Sequence, residues 1–263
     1  MIVAYIIICA FGLVIGSFVN VLIYRLPEGK SVMLPPSACT ACGHRLGVLD
    51  LVPVFSYLVL GGRCRYCKAP ISPRYPLVEI LTAAVFAVLF AKYGLSVEFA
   101  AFVYLMVILI AVLFIDYDHR IIPDELVMAG LAGGAIVFVY NILNPGVLPY
   151  GDEKWWTPLL GMVSASGVLF LVSVVGSLLY KTDEAVGMGD VKLLMPIGLF
   201  LGWKLGLEAL FFGVLAAGIA SLLLIILGLK GKRDTIPFGP FIVAGAFAAI
   251  LWGWNIIFWY IGL

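Results

Sequence analysis

The sequence predicts an all-α polytopic membrane protein with about eight transmembrane helices. Of its 263 residues, 63% are apolar and only 12% are charged, against roughly 25% charged residues in an ordinary soluble domain. At a mean hydropathy of +1.15, the chain carries too few polar side chains to cover a globule in water. The formal net charge of +1 also excludes the basic surplus on which nucleic-acid binding depends.

The predicted spans are apolar runs close to the length of about 20 residues that crosses about 30 Å of hydrocarbon. The first run has no basic flank before it and no small-residue cleavage site after it, so we expect it to be retained as a span. The sixth and seventh runs meet at Trp203-Lys204 and could form one broken segment, which would leave seven spans. The eight runs cover residues 2–24, 76–93, 97–115, 125–143, 158–180, 190–203, 205–229 and 238–262.

The distribution of Lys and Arg predicts the orientation, because short loops rich in these residues stay in the cytoplasm. Of the 16 basic residues, three fall on one side of the predicted topology, and these are Lys92, Lys154 and Lys204. Both chain ends are therefore expected outside the cytoplasm. The other side carries Arg25, Lys30, Arg45, Arg63, Arg65, Lys68, Arg74, Arg120, Lys181, Lys192, Lys230, Lys232 and Arg233.

The predicted topology divides the chain into three segments. Residues 1–24 form the first transmembrane helix, residues 25–75 form a cytoplasmic loop, and residues 76–263 form a transmembrane helical core. The loop between the first two helices is the one predicted module outside the membrane, and no internal repeat accompanies it.

Four cysteines in that loop predict a structural zinc site. Cys39 and Cys42 form one CxxC pair, Cys64 and Cys67 form another, and 21 residues separate the pairs. Each CxxC lets two thiolates reach one metal from a tight turn, and four sulfurs close a tetrahedral zinc shell. Disulfides are the weaker interpretation because the cytoplasm keeps thiols reduced.

Two other residues of ligand type have simpler interpretations. His44 follows the second cysteine and could replace a sulfur, but a histidine within the turn is the simpler reading of that position. Cys9 lies inside the first predicted span, where it is expected to be a small apolar residue without a role.

Ionisable residues at a membrane span are costly, so each one is a candidate site. Asp116 lies at the cytoplasmic end of the third predicted span, in VLFIDYDHRIIPDEL. Asp190 begins the sixth, directly after Gly187 and Gly189 in VGMGDVKLL. Both acids are expected at the same depth, and the glycines permit a close approach between Asp190 and an opposing helix.

A pair of nearby carboxyl groups suggests aspartic-protease chemistry. Two carboxylates in a low-dielectric place tend to hold one proton between them, so one can act as general base and the other as general acid. The sequence does not assign the two roles. An alternative is that Asp190 caps its helix and pairs with Lys192 while Asp116 pairs with Arg120.

The remaining polar residues near the membrane favour structural roles. Asp118 is predicted to face headgroups or water, and Asp124, after Pro123, to cap a helix. His119 and Arg120 are expected to be interfacial anchors, and Asn20 is expected to form an interhelical hydrogen bond. Two residues or stretches stay open: Glu79 could pair with an Arg or line a substrate groove, and IPFGPF at 236–241 could border a cleft or only start a helix.

Taken in order, these motifs resemble those of the type IV prepilin peptidases, a GxGD-type family of membrane aspartic proteases. The resemblance covers nearly the whole chain. One departure is Cys-Thr-Ala-Cys in the first pair, where a Pro commonly follows the first Cys; it leaves metal ligation intact. The stretches concerned are GSFVNVLIYRLP at 16–27, the two CxxC pairs, GRCRYCKAPISPRYPLVE at 62–79, FIDYDHRIIPD at 114–124, GMGDVKLL at 187–194 and IPFGPF.

The resemblance implies an enzyme of the bacterial inner membrane. Such an enzyme cleaves the basic leader of type IV prepilins or type II secretion pseudopilins at the cytoplasmic face, then methylates the new N-terminus with S-adenosylmethionine. The family's catalytic aspartates correspond to Asp116 and Asp190, and its zinc ligands to Cys39, Cys42, Cys64 and Cys67. The sequence shows no strand followed by a glycine-rich turn of the usual nucleotide-binding kind, so the binding site of the methyl donor is unknown. That S-adenosylmethionine is the donor follows from the resemblance alone.

Two functions of other classes compete with this one. A proton-coupled transporter could use both acids as proton carriers, but such proteins often show inverted repeats with matching broken helices, and none is seen. A secretion-assembly scaffold would use the acids only for helix packing.

Overall fold

A computed structural model describes residues 1–144, 154–180, 187–229, 231 and 236–262, apart from the side chains of Tyr180 and Ile261. Within these residues the protein is all-helical, as predicted, and strand-like pairing is limited to two isolated bridges. Seven of the described helices, all except α2, are long and apolar enough to cross a membrane. The helices are α1 (Ile2–Arg25), α2 (Phe55–Val59), α3 (Arg74–Tyr93), α4 (Val97–His119), α5 (Asp124–Leu143), α6 (Thr157–Tyr180), α7 (Met188–Ile226) and α8 (Gly239–Ile261).

The chain divides into two compact units, Met1–Leu95 and Ser96–Leu263. In the first unit, α1 and α3 pack antiparallel with their backbones in close contact. A Cβ atom on Gly16 would lie 2.6 Å from the Cα of Glu79, and one on Gly12 would lie 2.7 Å from the backbone of α3. Small residues permit this approach between membrane helices. The Asn20 amide also donates to the Tyr75 carbonyl oxygen at 3.0 Å, which confirms the predicted interhelical hydrogen bond.

The loop between α1 and α3 is built from turns rather than long elements. Its regular parts are two 3-10 turns, Leu26–Glu28 and Val48–Asp50, and the short helix α2. Asp50 ties the second turn to the cysteine region, since it accepts hydrogen bonds from the Arg65 guanidinium at 2.6 Å and the Tyr66 hydroxyl at 3.1 Å. The Arg65 hydrogen bond holds the pKa of Asp50 below its ordinary value.

In the second unit, α4 is the most enclosed of the described helices, and Leu105, Leu109 and Ala111 are fully buried along it. It packs against α5 and α8. Helix α5 approaches α7 through glycine: a Cβ atom on Gly130 would lie 2.8 Å from the Pro196 side chain. The core of this unit is therefore formed by spanning helices alone, as expected for a membrane domain.

Helix α7 combines the two runs predicted at 190–203 and 205–229 in one element of 39 residues. Gly202 interrupts it with φ 74° and ψ 176°, dihedrals that glycine adopts most readily. A Cβ atom on Gly206 would lie 3.3 Å from the Cα of Gly198, whereas residues eight apart in a continuous helix are separated by about 12 Å. The chain therefore folds back at Gly202, next to the predicted boundary at Trp203-Lys204, so the seven long helices contain all eight predicted runs, two of them as the arms of this hairpin.

The predicted orientation across the membrane stays a prediction. Four of the basic residues that support it, Lys181, Lys230, Lys232 and Arg233, lie outside the described residues.

Candidate active site and metal centre

Asp116 lies one turn before the end of α4 and is only 6% exposed. Its Oδ2 atom accepts a hydrogen bond of 2.9 Å from the backbone N–H of Gly239, the first residue of α8. A Cβ atom at position 239 would lie 2.7 Å from that same oxygen. The contact therefore requires glycine, and the IPFGPF stretch both starts a helix and borders Asp116.

Asp190 occupies the first turn of α7, where the helix begins after Gly187. Gly189 packs against Ile122, in the connection that follows Asp116: a Cβ atom on Gly189 would lie 3.2 Å from the Ile122 Cβ. Asp190 and Asp116 lie near enough for their charges to interact. Segments far apart in the sequence thus bring the two predicted acids to one cluster of helix ends.

An ion pair holds the start of α7 against the start of α5. The Lys192 ammonium donates to Asp124 Oδ1 at 2.8 Å. The structural alternative for Asp190 is therefore wrong: Lys192 pairs with Asp124 rather than Asp190, and Gly187 rather than Asp190 holds the cap position of α7. Asp124 makes no cap hydrogen bond either, because it lies in the first turn of α5 after Pro123, where the helix dipole favours a carboxylate.

Three other charged residues lie at the end of α4, and one of them, Arg120, is near enough to Asp116 for their charges to interact, as the structural alternative for Asp116 supposed. Asp118, His119 and Arg120 are exposed, as expected for residues facing headgroups or water. Arg120 ends the helix with φ 56°.

The pair of acids is suited to proton transfer. Two carboxyl groups held close together in a low-dielectric place cannot both ionise cheaply, so such pairs tend to share one proton. Such a pair can remove a proton from water with one member and donate a proton with the other.

The second candidate site is the group of four loop cysteines. The sulfur atoms of Cys39, Cys42, Cys64 and Cys67 all lie within 4.8 Å of one another, and those of Cys39 and Cys67 are 3.9 Å apart. Four sulfurs about 2.3 Å from one tetrahedral zinc ion are about 3.8 Å apart. The four thiols are therefore positioned to bind a metal ion.

The two CxxC pairs share one backbone conformation. In the first, Cys39 N–H donates to the His44 carbonyl at 2.9 Å; in the second, Cys64 N–H donates to the Ala69 carbonyl at 2.8 Å. The residue after each pair has a positive φ, 69° at Gly43 and 61° at Lys68. Glycine at position 43 adopts a positive φ readily, whereas Lys68 gave no sequence signal for such a turn.

Backbone donors favour thiolate at this site. N–H groups of Cys42 and Ala41 lower the pKa of Cys39 to about 6. The Ala69 N–H acts in the same direction on Cys67, but desolvation and the neighbouring thiols raise its pKa to about 11. The four thiols therefore cannot all ionise without a cation between them.

Three residues near the sites have other roles. The His44 ring stacks on Tyr66 with centroids 3.7 Å apart, in agreement with a turn histidine, and Cys9 lies on α1 away from the four-sulfur group. The Glu79 Oε2 atom accepts a hydrogen bond of 2.7 Å from the Val54 backbone N–H. The sequence did not suggest this partner. The contact of Gly239 with Asp116 was not predicted from the sequence, which suggested only that the IPFGPF stretch could border a cleft or start a helix.

Comparison with known proteins finds two family matches that together cover most of the chain. The family described as Bacterial Peptidase A24 N-terminal domain matches residues 10–93, and the family described as Type IV leader peptidase family matches residues 103–229. The first match contains all four cysteines, and the second contains both acids. No solved structure matches the chain.

Curated relatives match over nearly the full length. The prepilin leader peptidase/N-methyltransferase of Aeromonas salmonicida is 35% identical, over 95% of this chain and 91% of its own. The protein of the same name from Pseudomonas putida is 36% identical over 92% and 88%, and that from Bacillus subtilis is 34% identical over 95% of each chain. The protein described here is therefore a multi-pass membrane protein that belongs to the type IV leader peptidase family.

Proposed function

We propose that the protein is an aspartic endopeptidase that removes the basic leader of type IV prepilins or type II secretion pseudopilins and then N-methylates the new N-terminus with S-adenosylmethionine. We place it in the bacterial inner membrane, with the active site and cysteine loop on the cytoplasmic side. The observation that carries the proposal is the meeting of Asp116 and Asp190 at one cluster of helix ends in a chain of this family. Family membership favours this function over a transporter or a scaffold.

The hydrogen bond from Gly239 suggests how the two acids divide the work. A backbone N–H that donates to a carboxyl group favours its ionised form, so Asp116 serves as the general base. Asp190 then carries the shared proton and serves as the general acid. The pair titrates as a unit, so its two pKa values belong to both residues together.

Cleavage then follows from two proton transfers. Asp116 takes a proton from a water molecule whose oxygen attacks the scissile carbonyl carbon, while Asp190 donates its proton to the carbonyl oxygen. The tetrahedral intermediate breaks at the C–N bond, and the proton held by Asp116 passes to the leaving amine. Asp190 recovers its proton from the intermediate's hydroxyl, which restores the starting state.

The proposal is tested by incubating the purified protein with a prepilin and S-adenosylmethionine. Mass spectrometry should detect a product that has lost its leader and gained one methyl group at the new N-terminus. An intact prepilin after incubation with folded protein would contradict the peptidase proposal, and a cleaved but unmethylated product would contradict the methyltransferase part alone.

Gly239→Ala is expected to lower cleavage about 10²-fold, because its Cβ would push the Asp116 carboxyl from its position and a shift of about 1 Å has an effect of that order. Initial rates on a prepilin peptide measure the loss. The matched control is Gly218→Ala, where a Cβ atom meets nothing within 4 Å and the rate should be unchanged. Equal rates for both variants would contradict the positioning role of Gly239.

We also propose that the four loop cysteines hold one structural zinc ion. Their spacing and their shared cost of ionisation fit a tetrahedral four-thiolate shell. Such a shell leaves no open coordination position, so zinc would stabilise the loop rather than take part in cleavage.

Elemental analysis of the purified protein should find about one zinc per chain. Cys42→Ser should lower the zinc content and increase proteolysis of the loop, because three sulfurs bind the ion less tightly. Cys9→Ser should leave both properties unchanged. Folded wild-type protein that contains no zinc, or a Cys42→Ser variant with unchanged zinc content and unchanged proteolysis of the loop, would contradict the zinc proposal.

A further inference from the structure

Residues 51–60 of the loop, LVPVFSYLVL, present an exposed apolar face. Phe55, Leu58 and Val59 are 64%, 68% and 66% exposed. They are spaced three and four residues apart, so they share one side of α2. Exposed apolar side chains grouped in this way are unfavourable in water and mark a surface that meets another medium or molecule.

The same segment is attached to a membrane-spanning helix inside its boundary. The Val54 N–H, at the start of α2, donates to Glu79 Oε2 at 2.7 Å. Glu79 is only 7% exposed and lies five residues beyond Arg74, where α3 begins, which is about 7.5 Å along the helix. The 20 residues of α3 match a hydrocarbon thickness of about 30 Å, and a span that begins at Arg74 would place Glu79, and the Val54 N–H bonded to it, inside the hydrocarbon.

Several backbone N–H groups of the segment bond within the protein, as a medium without water favours. The first N–H groups of a helix have no partner in the helix itself, and Glu79 supplies one for Val54. Later donors bond within the segment and its final turn: Ser56 to Val52, Leu58 to Val54, Leu60 to Ser56, Gly61 to Leu58 and Gly62 to Tyr57, at 2.9 to 3.1 Å.

Basic residues follow the apolar face directly in the chain. Arg63 and Lys68 are exposed, and Arg74 begins α3. Cationic side chains beside an apolar segment complement the phosphates of anionic lipids at a membrane surface.

We propose that residues 51–60 form a re-entrant segment immersed in the lipid leaflet at which α3 begins, with Phe55, Leu58 and Val59 against the acyl chains. Glu79 fixes its depth through Val54. The partner is thus the bilayer itself, and part of the loop that the sequence assigns to the cytoplasm lies within the membrane. This inference uses the spanning helices of the first unit and is independent of the peptidase proposal.

Photo-crosslinking of the full-length protein in phosphatidylethanolamine–phosphatidylglycerol vesicles tests the proposal. A benzophenone amino acid replaces Phe55 or Leu58, and transfer to radiolabelled lipid acyl chains is measured. Ile80, exposed on α3, provides the lipid-facing reference, and Thr40, exposed in the first CxxC pair, provides the water-facing reference. We expect positions 55 and 58 to label lipid as strongly as position 80 and several-fold more than position 40.

Labelling of positions 55 and 58 at the level of position 40 would overturn the proposal, as would adducts mainly with a second copy of the chain or with an added prepilin. A second measurement does not depend on the photo-reactive residue. Nitroxides coupled to a ketone-bearing amino acid at position 58, 80 or 40, a chemistry that leaves the native thiols unlabelled, report access to oxygen and to a water-soluble nickel complex. The Leu58 label should resemble the Ile80 label; resemblance to the Thr40 label would contradict immersion.

Discussion

Asn in place of Asp116 or Asp190 is expected to slow leader cleavage by about 10⁴-fold, the scale on which loss of an essential proton-transfer group acts. An amide keeps the size of the carboxyl group but can neither accept the proton from water nor hold a shared proton. In the Asp116→Asn variant the Gly239 N–H can still bond to the amide oxygen, so the fold around the site should persist. Initial rates on a purified prepilin measure the loss.

Asp118→Asn is the matched control, because Asp118 lies on the same helix two residues from Asp116 and is exposed. Its rate should stay near that of the wild type. Glu at position 116 or 190 should also impair cleavage, since the extra methylene moves the carboxyl group beyond the roughly 0.5 Å that positioning tolerates. Wild-type rates for either Asn variant would contradict a catalytic role for that residue.

Gly161→Ala is expected to destabilise the protein by at least about 2 kcal/mol, the scale of overpacking a closely fitted interior. The new Cβ would meet the Gly198 carbonyl oxygen and lie 2.5 Å from the Gly202 carbonyl carbon. Both are backbone atoms at the reversal of α7, so no flexible side chain can move aside. The midpoint of thermal unfolding in detergent should fall by several degrees.

Gly167→Ala on the same helix separates this collision from a general effect of alanine. A Cβ atom at position 167 meets nothing within 4 Å, and alanine is the better helix former. Its unfolding midpoint should equal or slightly exceed that of the wild type. Equal stability of the two variants would contradict the close contact between α6 and α7.

The membrane fold and both candidate sites could be anticipated because their signals are local. Apolar runs define the spans, the CxxC spacing defines the metal ligands, and an acid at the end of an apolar run stands out against a chain with 12% charged residues. The basic residues also predicted one membrane depth for Asp116 and Asp190; this depth stays a prediction, and the structure places the two acids near each other within the second unit.

The features that escaped prediction depend on contacts between distant residues. The Gly239 N–H can be recognised as a partner of Asp116 only when α8 is placed beside α4. The sequence offers several acids as possible partners for Lys192, and only the packing of the helices shows that Asp124 is the one it contacts. Gly202 reverses α7 inside an apolar stretch where hydropathy does not change, so composition could not distinguish one long helix from two.

The shared action of the two acids is measured most directly by a double-variant cycle of leader cleavage. Residues that act as one catalytic unit lose activity non-additively, so the Asp116→Asn, Asp190→Asn variant should be no slower than either single variant. If the losses instead multiplied, so that the double variant fell far below both single variants, the two carboxyl groups would act independently and the joint mechanism would be wrong.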